Sequence, residues 1–342
     1  MKNRITKEPH IENLLSENKY PEAIEKLFEI QKNEWKTLAG NYTDLAKVKT
    51  KDFYFDGFKI KAQFNPQRLA STTAKTDLNS IKNRKCFLCE ENLPDEQTGF
   101  LINNSMMMLI NPFPIFPIHL TIAHRKHIPQ EILPHFELLI DCSKKIGRNY
   151  SLLYNGPNCG ASAPDHLHFQ AGKKFFLPFD DDFHQLKNEY GETLLNNDLV
   201  EISAVDDGLR KFISIETNDN IILSQTFSLL YNIVELICNT NDEPKMNIIC
   251  NYEEDFGWRL VVFLRSKHRP AVYFSSGDDK LLFSPAVVDV GGLCILPDEN
   301  DFNKIDKNIL TEIFKEVFID DNHFLKIKNE YSNRLIYDSF ND

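Results

Sequence analysis

Between residues 166 and 170 the chain reads His-Leu-His-Phe-Gln, a strict alternation of polar and apolar side chains. On an extended strand successive side chains point to opposite faces. His166, His168 and Gln170 then share one face at intervals of ~7 Å, while Leu167 and Phe169 turn into a core behind them. Upstream, Gly156, Gly160, Ala161 and Ser162 are small, so backbone N–H groups there can approach a ligand's phosphates. Histidine is a competent nucleophile toward phosphorus, and a covalent intermediate divides one hard displacement into two easier ones. Such a histidine must be neutral, with its other ring nitrogen held as a donor to fix the tautomer. A nearby glutamine can donate to a phosphate oxygen without titrating. The competing reading is a row of ordinary hydrogen-bonded polar groups on an exposed strand.

Cys86 and Cys89 form a CxxC, the spacing of a thiolate pair in a structural zinc site. A redox pair has the same spacing, but no βαβ pattern surrounds this one. Histidines follow at 119, 124 and 127. Cys86, Cys89, one of those three and His166 make a chemically complete Cys2His2 set, which would tie the CxxC loop to the strand carrying His168. His124 and His127 sit where a strand hands over to a loop, and His127 is the preferred third ligand. Iron could occupy the same ligands, and two ordinary reduced thiols remain the simpler alternative.

The elements that must position these groups are legible in outline. Residues 1–45 read as helical, with an apolar face Ile24, Leu27, Phe28, Trp35, Leu38 following Pro21 at a helix start. FYFDGFKIKAQFN reads as a hairpin or bent strand around Gly57, and short apolar runs broken by prolines follow to residue 123. Residues 130–153 read as a helix running into a strand, and 183–240 as strands and a helix. WRLVVFLR and AVYF read as paired strands, and 300–334 as closing helices. The order suits α+β with antiparallel sheets. It divides into an N-terminal helical appendage (1–50), a half carrying CxxC and HxHxQ (51–180) and a C-terminal α+β half (181–342). In that last half Arg265, Lys267 and Arg269 cluster at a strand end, a clamp for a β-phosphate or sugar phosphate or else a solvated turn. Arg84 is a further phosphate candidate, and Ser284 to Gly292 a loop to close over the site.

Composition sets the classes aside. A chain of 342 residues is two domains at roughly 150 residues each, or one large unit with an appendage. Lysine and arginine number 39 against 50 acids, a net charge of −11, which argues against nucleic acid as partner. No uninterrupted apolar run approaches the ~20 residues of a membrane span, and the N-terminal stretch lacks the apolar segment of a secretory signal. Seven cysteines, an odd number, fit a reducing compartment. A cytoplasmic protein is the expectation.

HLHFQ resembles the His-φ-His-φ-Gln/His signature of the histidine-triad superfamily. Glutamine in third place is similar to its transferase branch: galactose-1-phosphate uridylyltransferases, diadenosine tetraphosphate phosphorylases and GDP-L-galactose phosphorylases. CFLC resembles the zinc CxxC of the uridylyltransferases, and CGASAPDHLHFQ the Gly-Ala-Ser approach of the diadenosine tetraphosphate phosphorylases. The resemblance spans about residues 54–172. It implies a HIT-like antiparallel sheet with packed helices, and leaves room for a related second half after residue 180, although no repeat is visible in the sequence. It implies that His168 attacks the α-phosphorus and becomes nucleotidylated, that Gln170 holds the nucleotidyl phosphate, that Asn155 and Ser162 contact phosphates, and that His166 ligates structural zinc. Asp165 and Leu167 depart from the uridylyltransferase pattern, which tilts the reading toward a phosphorylase-like or GDP/ADP-using relative. The expected donor is a nucleotide sugar or dinucleoside polyphosphate, and the acceptor phosphate or a sugar phosphate. A nucleotide-conjugate hydrolase and a non-catalytic, zinc-stabilised nucleotide-binding module are the alternatives.

Overall fold

Alternating apolar stretches become the strands β1 (Lys49–Tyr54), β2 (Lys59–Phe64), β3 (Gly99–Leu101), β4 (Met106–Ile110), β5 (Leu120–His124), β6 (Tyr150–Asn155) and β7 (His168–Lys173). Beyond them lie β8 (Gly191–Asn196), β9 (Glu201–Asp206), β10 (Lys211–Thr217), β11 (Met246–Glu253), β12 (Gly257–Leu264) and β13 (Leu293–Leu296). The computed structural model describes residues 4–339; the outermost three residues of the first and last sequence segments lie outside that range. β1 and β2 form the expected hairpin, with Tyr54 opposite Lys59 and Gly57 at φ +75° in the turn. β13 adds to β2 in parallel, completing a small sheet.

The main sheet has ten strands in the order β3-β4-β5-β7-β6-β11-β12-β10-β9-β8, every pair antiparallel. Read inward from either edge, each half runs first, second, third, fifth, fourth strand. In each half a helix, Phe136–Ile146 or Asn220–Cys238, joins the third strand to the fourth. The two halves therefore share one topology and meet at β6 and β11, registered from Asn155 opposite Asn247 to Leu152 opposite Cys250. Helix Pro178–Tyr190, in which residue 180 falls, links them.

Period-two alternation sorts the sheet into two faces. Met106, Met108, Ile122, Leu167, Phe169, Ile213, Ile248 and Leu260 pack beneath helices. That helical layer includes the N-terminal helices Pro9–Ser16, Tyr20–Glu34 and Lys36–Leu45, whose Ile11, Ile24, Leu27 and Leu38 are fully buried in the same core. Helix Asn220–Cys238 is long and apolar enough to cross a membrane, yet Leu223, Phe227, Leu230 and Ile233 lie in this core. On the opposite face the second half is covered by helix Pro178–Tyr190, the small sheet and helices near the C-terminus. On that face of the first half His168, Gln170 and Thr121 lie among buried Met107, Leu109 and Ala123. AVYF is not a strand: Ala271–Tyr273 is a 3-10 turn, because Pro270 lacks a ladder N–H and β12 already has β10 and β11 on its two sides.

Candidate active site

His168 opens β7 on this second face, opposite Ala123 of β5, and is 5% exposed. Its Nδ1 lies 2.8 Å from the His166 carbonyl, which accepts only if Nδ1 carries the proton. The lone pair is then on Nε2, with no partner among the described residues. Burial pushes the imidazole down to about 4, so the ring is neutral at ordinary pH. Gln130 holds the backbone around it: Oε1 accepts the His168 N–H at 2.7 Å, and Nε2 donates to the carbonyls of His168 at 3.0 Å and Asn155 at 2.9 Å. Sequence reading did not find Gln130, because nothing in its local pattern marks a residue that works through the backbone of a distant strand.

Two carboxamides share the cavity beside His168, and in both the oxygen is engaged inside the protein. Gln170 Oε1 lies 2.9 Å from Nε2 of buried His119. Asn155 Oδ1 accepts from Asn247 Nδ2 and from the Val287 N–H, each at 2.8 Å. Their NH2 ends are left to the cavity that both residues line. Gly160, at φ +101°, lets this wall close: a Cβ there would stand 2.6 Å from the Cβ of Ala286. Ser162 lines the same cavity.

The metal-type residues converge. Ligand atoms of Cys86, Cys89, His127 and His166 lie within 4.8 Å of one another. Cys86 Sγ and His166 Nδ1 are 3.2 Å apart, Cys89 Sγ and His127 Nδ1 3.2 Å, and Cys89 Sγ and His166 Nδ1 3.6 Å. Zinc bond lengths of about 2.0–2.3 Å in a tetrahedron place ligand atoms about 3.3–3.8 Å apart, so the set fits such an ion. The surroundings fit as well. His166 Nε2 donates to the His124 carbonyl at 2.6 Å, leaving Nδ1 free to ligate, and Asp165 Oδ2 stands 3.5 Å from His127 Nε2, the partners that orient ligating imidazoles. Desolvation and the neighbouring Cys86 push the Cys89 thiol up, so a cation between the two sulfurs is what would hold both as thiolates. His124 and His119 are not in the set. Asp165 also pairs with Arg84, which places Arg84 beside the metal cluster.

A cavity of about 420 Å³ opens next to His168, walled by Leu88, Leu93, Leu109, Pro112 and the half-exposed rings of Phe87 and Phe113. Joined to it is a polar lobe of about 70 Å³ lined by Arg269, His268, Ser284 and Asn155. Arg68, Ser162 and Gln170 line both. The C-terminal cation cluster divides. Arg269 lines the polar lobe, bonds Ser284 Oγ at 3.1 Å, and with Tyr273 latches the flap 66–76 through the carbonyls of Thr72 and Ala74. Lys267 points away, 3.0 Å from Glu316. Arg265 is buried behind the wall, donating to Asn247 Oδ1 at 2.6 Å and to the carbonyls of Val317 and Pro285. Arg68, pushed down by burial to about 10 and still cationic at neutral pH, is a site cation the sequence did not single out.

Residues 182–336 match the family described as GDPGP1-like, C-terminal domain, and residues 27–173 match a domain of unknown function, DUF4922. No curated protein matches the sequence. Yeast Ap4A phosphorylase superposes with a TM-score of 0.56 at 14% identity, over 83% of this chain and 96% of that one. The same yeast protein in complex with Ap4A gives 0.52 at 14% identity, over 84% and 97%. The two proteins share a fold.

Proposed function

From the fold of the histidine-triad transferase branch, we propose that this chain is a nucleotidyl-transferring phosphorylase working through a covalent nucleotidyl-histidine on His168. The observation that carries the reading is the Nδ1–H to His166 carbonyl bond, which leaves an unprotonated Nε2 on a residue that walls the larger lobe, two positions from Gln170, which lines both. The larger lobe suits a nucleoside, its base against Phe87 and Phe113. His168 Nε2 attacks the α-phosphorus of a nucleotide sugar or dinucleoside polyphosphate. An N–P bond forms as the bond to the bridging oxygen breaks, and the remainder departs as a phosphate-bearing anion. In the second half an acceptor phosphate oxygen attacks the same phosphorus, the N–P bond breaks, and the nucleotide leaves lengthened by one phosphate. Charge on the transferring phosphoryl oxygens is met by the NH2 groups of Gln170 and Asn155, by Ser162 and by Arg68 and Arg269, positioned in advance. The polar lobe, lined by Arg68, Arg269 and Ser284, suits the phosphate of the acceptor.

The Cys2His2 set suits zinc in a closed structural site; bound there, the ion supplies a cross-link between the CxxC loop and the approach to β7. This chain's own contribution is to hold His168 neutral and aimed.

The test is intact-protein mass after brief incubation with GDP-, ADP- and UDP-hexoses and diadenosine tetraphosphate, quenched at alkaline pH where phosphoramidates survive. An acid-labile gain of one nucleoside monophosphate, absent in His168→Ala with fold and metal retained, is expected. An unmodified, well-folded, metal-loaded protein would favour nucleotide binding without turnover.

A further inference from the structure

His119 is fully buried and stands apart from the metal cluster it was a sequence candidate for. Its Nδ1 accepts the Ile115 N–H at 3.3 Å, so its proton resides on Nε2, the atom 2.9 Å from Gln170 Oε1. The ring is set edge-on against Phe116 at 5.1 Å, and β5 and β7 hold its neighbour Leu120 in register with Ala171. Burial and the nearby Arg68 charge push its titration far down, so the donor does not change with pH. A carboxamide has an acceptor end and a donor end of nearly equal size, and flipping it would turn Oε1 toward the phosphoryl oxygens.

We infer that His119 is a positioning residue that fixes the Gln170 carboxamide with its NH2 toward the transferring phosphoryl group. This rests on the proposed role of Gln170. A buried imidazole pinned by a backbone N–H can donate to that oxygen but cannot accept from the NH2, so one of the two amide orientations is excluded. The sequence offered His119 only as one of three histidines after a CxxC; its partner lies 51 residues further on, across a strand pair.

The experiment measures nucleotidylation rates on the metal-loaded full chain, with diadenosine tetraphosphate and GDP-glucose as probes. His119→Leu should slow adduct formation about 10- to 100-fold, the scale for losing one oriented donor to a developing charge. His119→Gln, whose amide can supply the same donor, should stay within about threefold. In a Gln170→Ala background His119→Leu should cost nothing more; an equal loss there would show mere packing and overturn the proposal, as would a wild-type rate for His119→Leu. Independently of any turnover, the 15N shifts of His119 should report a neutral Nε2–H tautomer unchanged from pH 5.5 to 8. A proton on Nδ1 overturns the positioning role. Absence of adduct on the wild-type chain, with the Nε2–H tautomer intact, would fault the phosphorylase reading instead.

Discussion

Gln130→Met keeps side-chain length and volume but removes all three hydrogen bonds that bracket His168. The His168 N–H and the carbonyls of His168 and Asn155 lose their side-chain partner at a position with no exposed surface. Leaving a buried backbone polar group unpaired costs about 1–3 kcal/mol; allowing some relaxation and water entry, the three together come to about 4 kcal/mol. With an unfolding entropy of about 2.1 cal/mol/K per residue over 342 residues, that lowers Tm by about 6 °C. Function should suffer more than stability, because the backbone of the proposed nucleophile loses its clamp on both sides, and misplacement by about 1 Å costs on the order of 100-fold. Calorimetry reads the first effect and adduct formation followed by mass the second. A Tm within about 1 °C of the parent and an adduct rate within about twofold would refute the claim that Gln130 holds His168 in place.

Adduct formation should be independent of pH from about 6 to 8 and fall only below about 5. Burial disfavours the imidazolium of His168, whose titration near 4 lies below the ordinary histidine range; an inflection near 6.5 would contradict that burial. Cys89→Ser, or chelation, should release about one metal ion per chain, lower Tm and weaken nucleotide binding together, because Phe87 sits between the two cysteines and walls the larger lobe. Nucleotide affinity unchanged after complete metal loss would separate the two sites. Gly160→Ala should destabilise by about 1–3 kcal/mol through its positive φ and its approach to Ala286, and Ala286→Gly in the same chain should recover part of the loss. An unaltered melting profile for Gly160→Ala would disprove that crowding.

His168 and Gln170 were readable as neighbours on one face, because alternation along the strand fixes it; His166 instead falls in the bend before β7, where its ring meets the cysteines. The CxxC and its histidines were readable as a donor set for the same reason of spacing. What escaped were residues defined by a partner far along the chain. Gln130 serves a backbone 38 residues away, and Asn247 fixes Asn155 across the seam. Arg68 reaches the cavity from a short segment with no periodic signal. Charge clustering also misled: Arg265, Lys267 and Arg269 lie together in sequence, yet a strand end turns them to three different surroundings. The common topology of the halves left no sequence repeat because pairing order constrains only apolar alternation. β12, the counterpart of β7, carries Arg259, Val261 and Phe263 on the face where β7 has its histidine and glutamine.

A sheet that runs unbroken from β3 to β8 also decides how ligands come and go. Its two halves share backbone ladders at the seam, so they cannot swing apart as hinged lobes do on the microsecond-to-millisecond scale. The segment 66–76, which lines both lobes, is instead tied to the second half by Arg269 and Tyr273 through three hydrogen bonds. Exchange of a ligand from these lobes then calls for the release of a loop rather than the rotation of a domain.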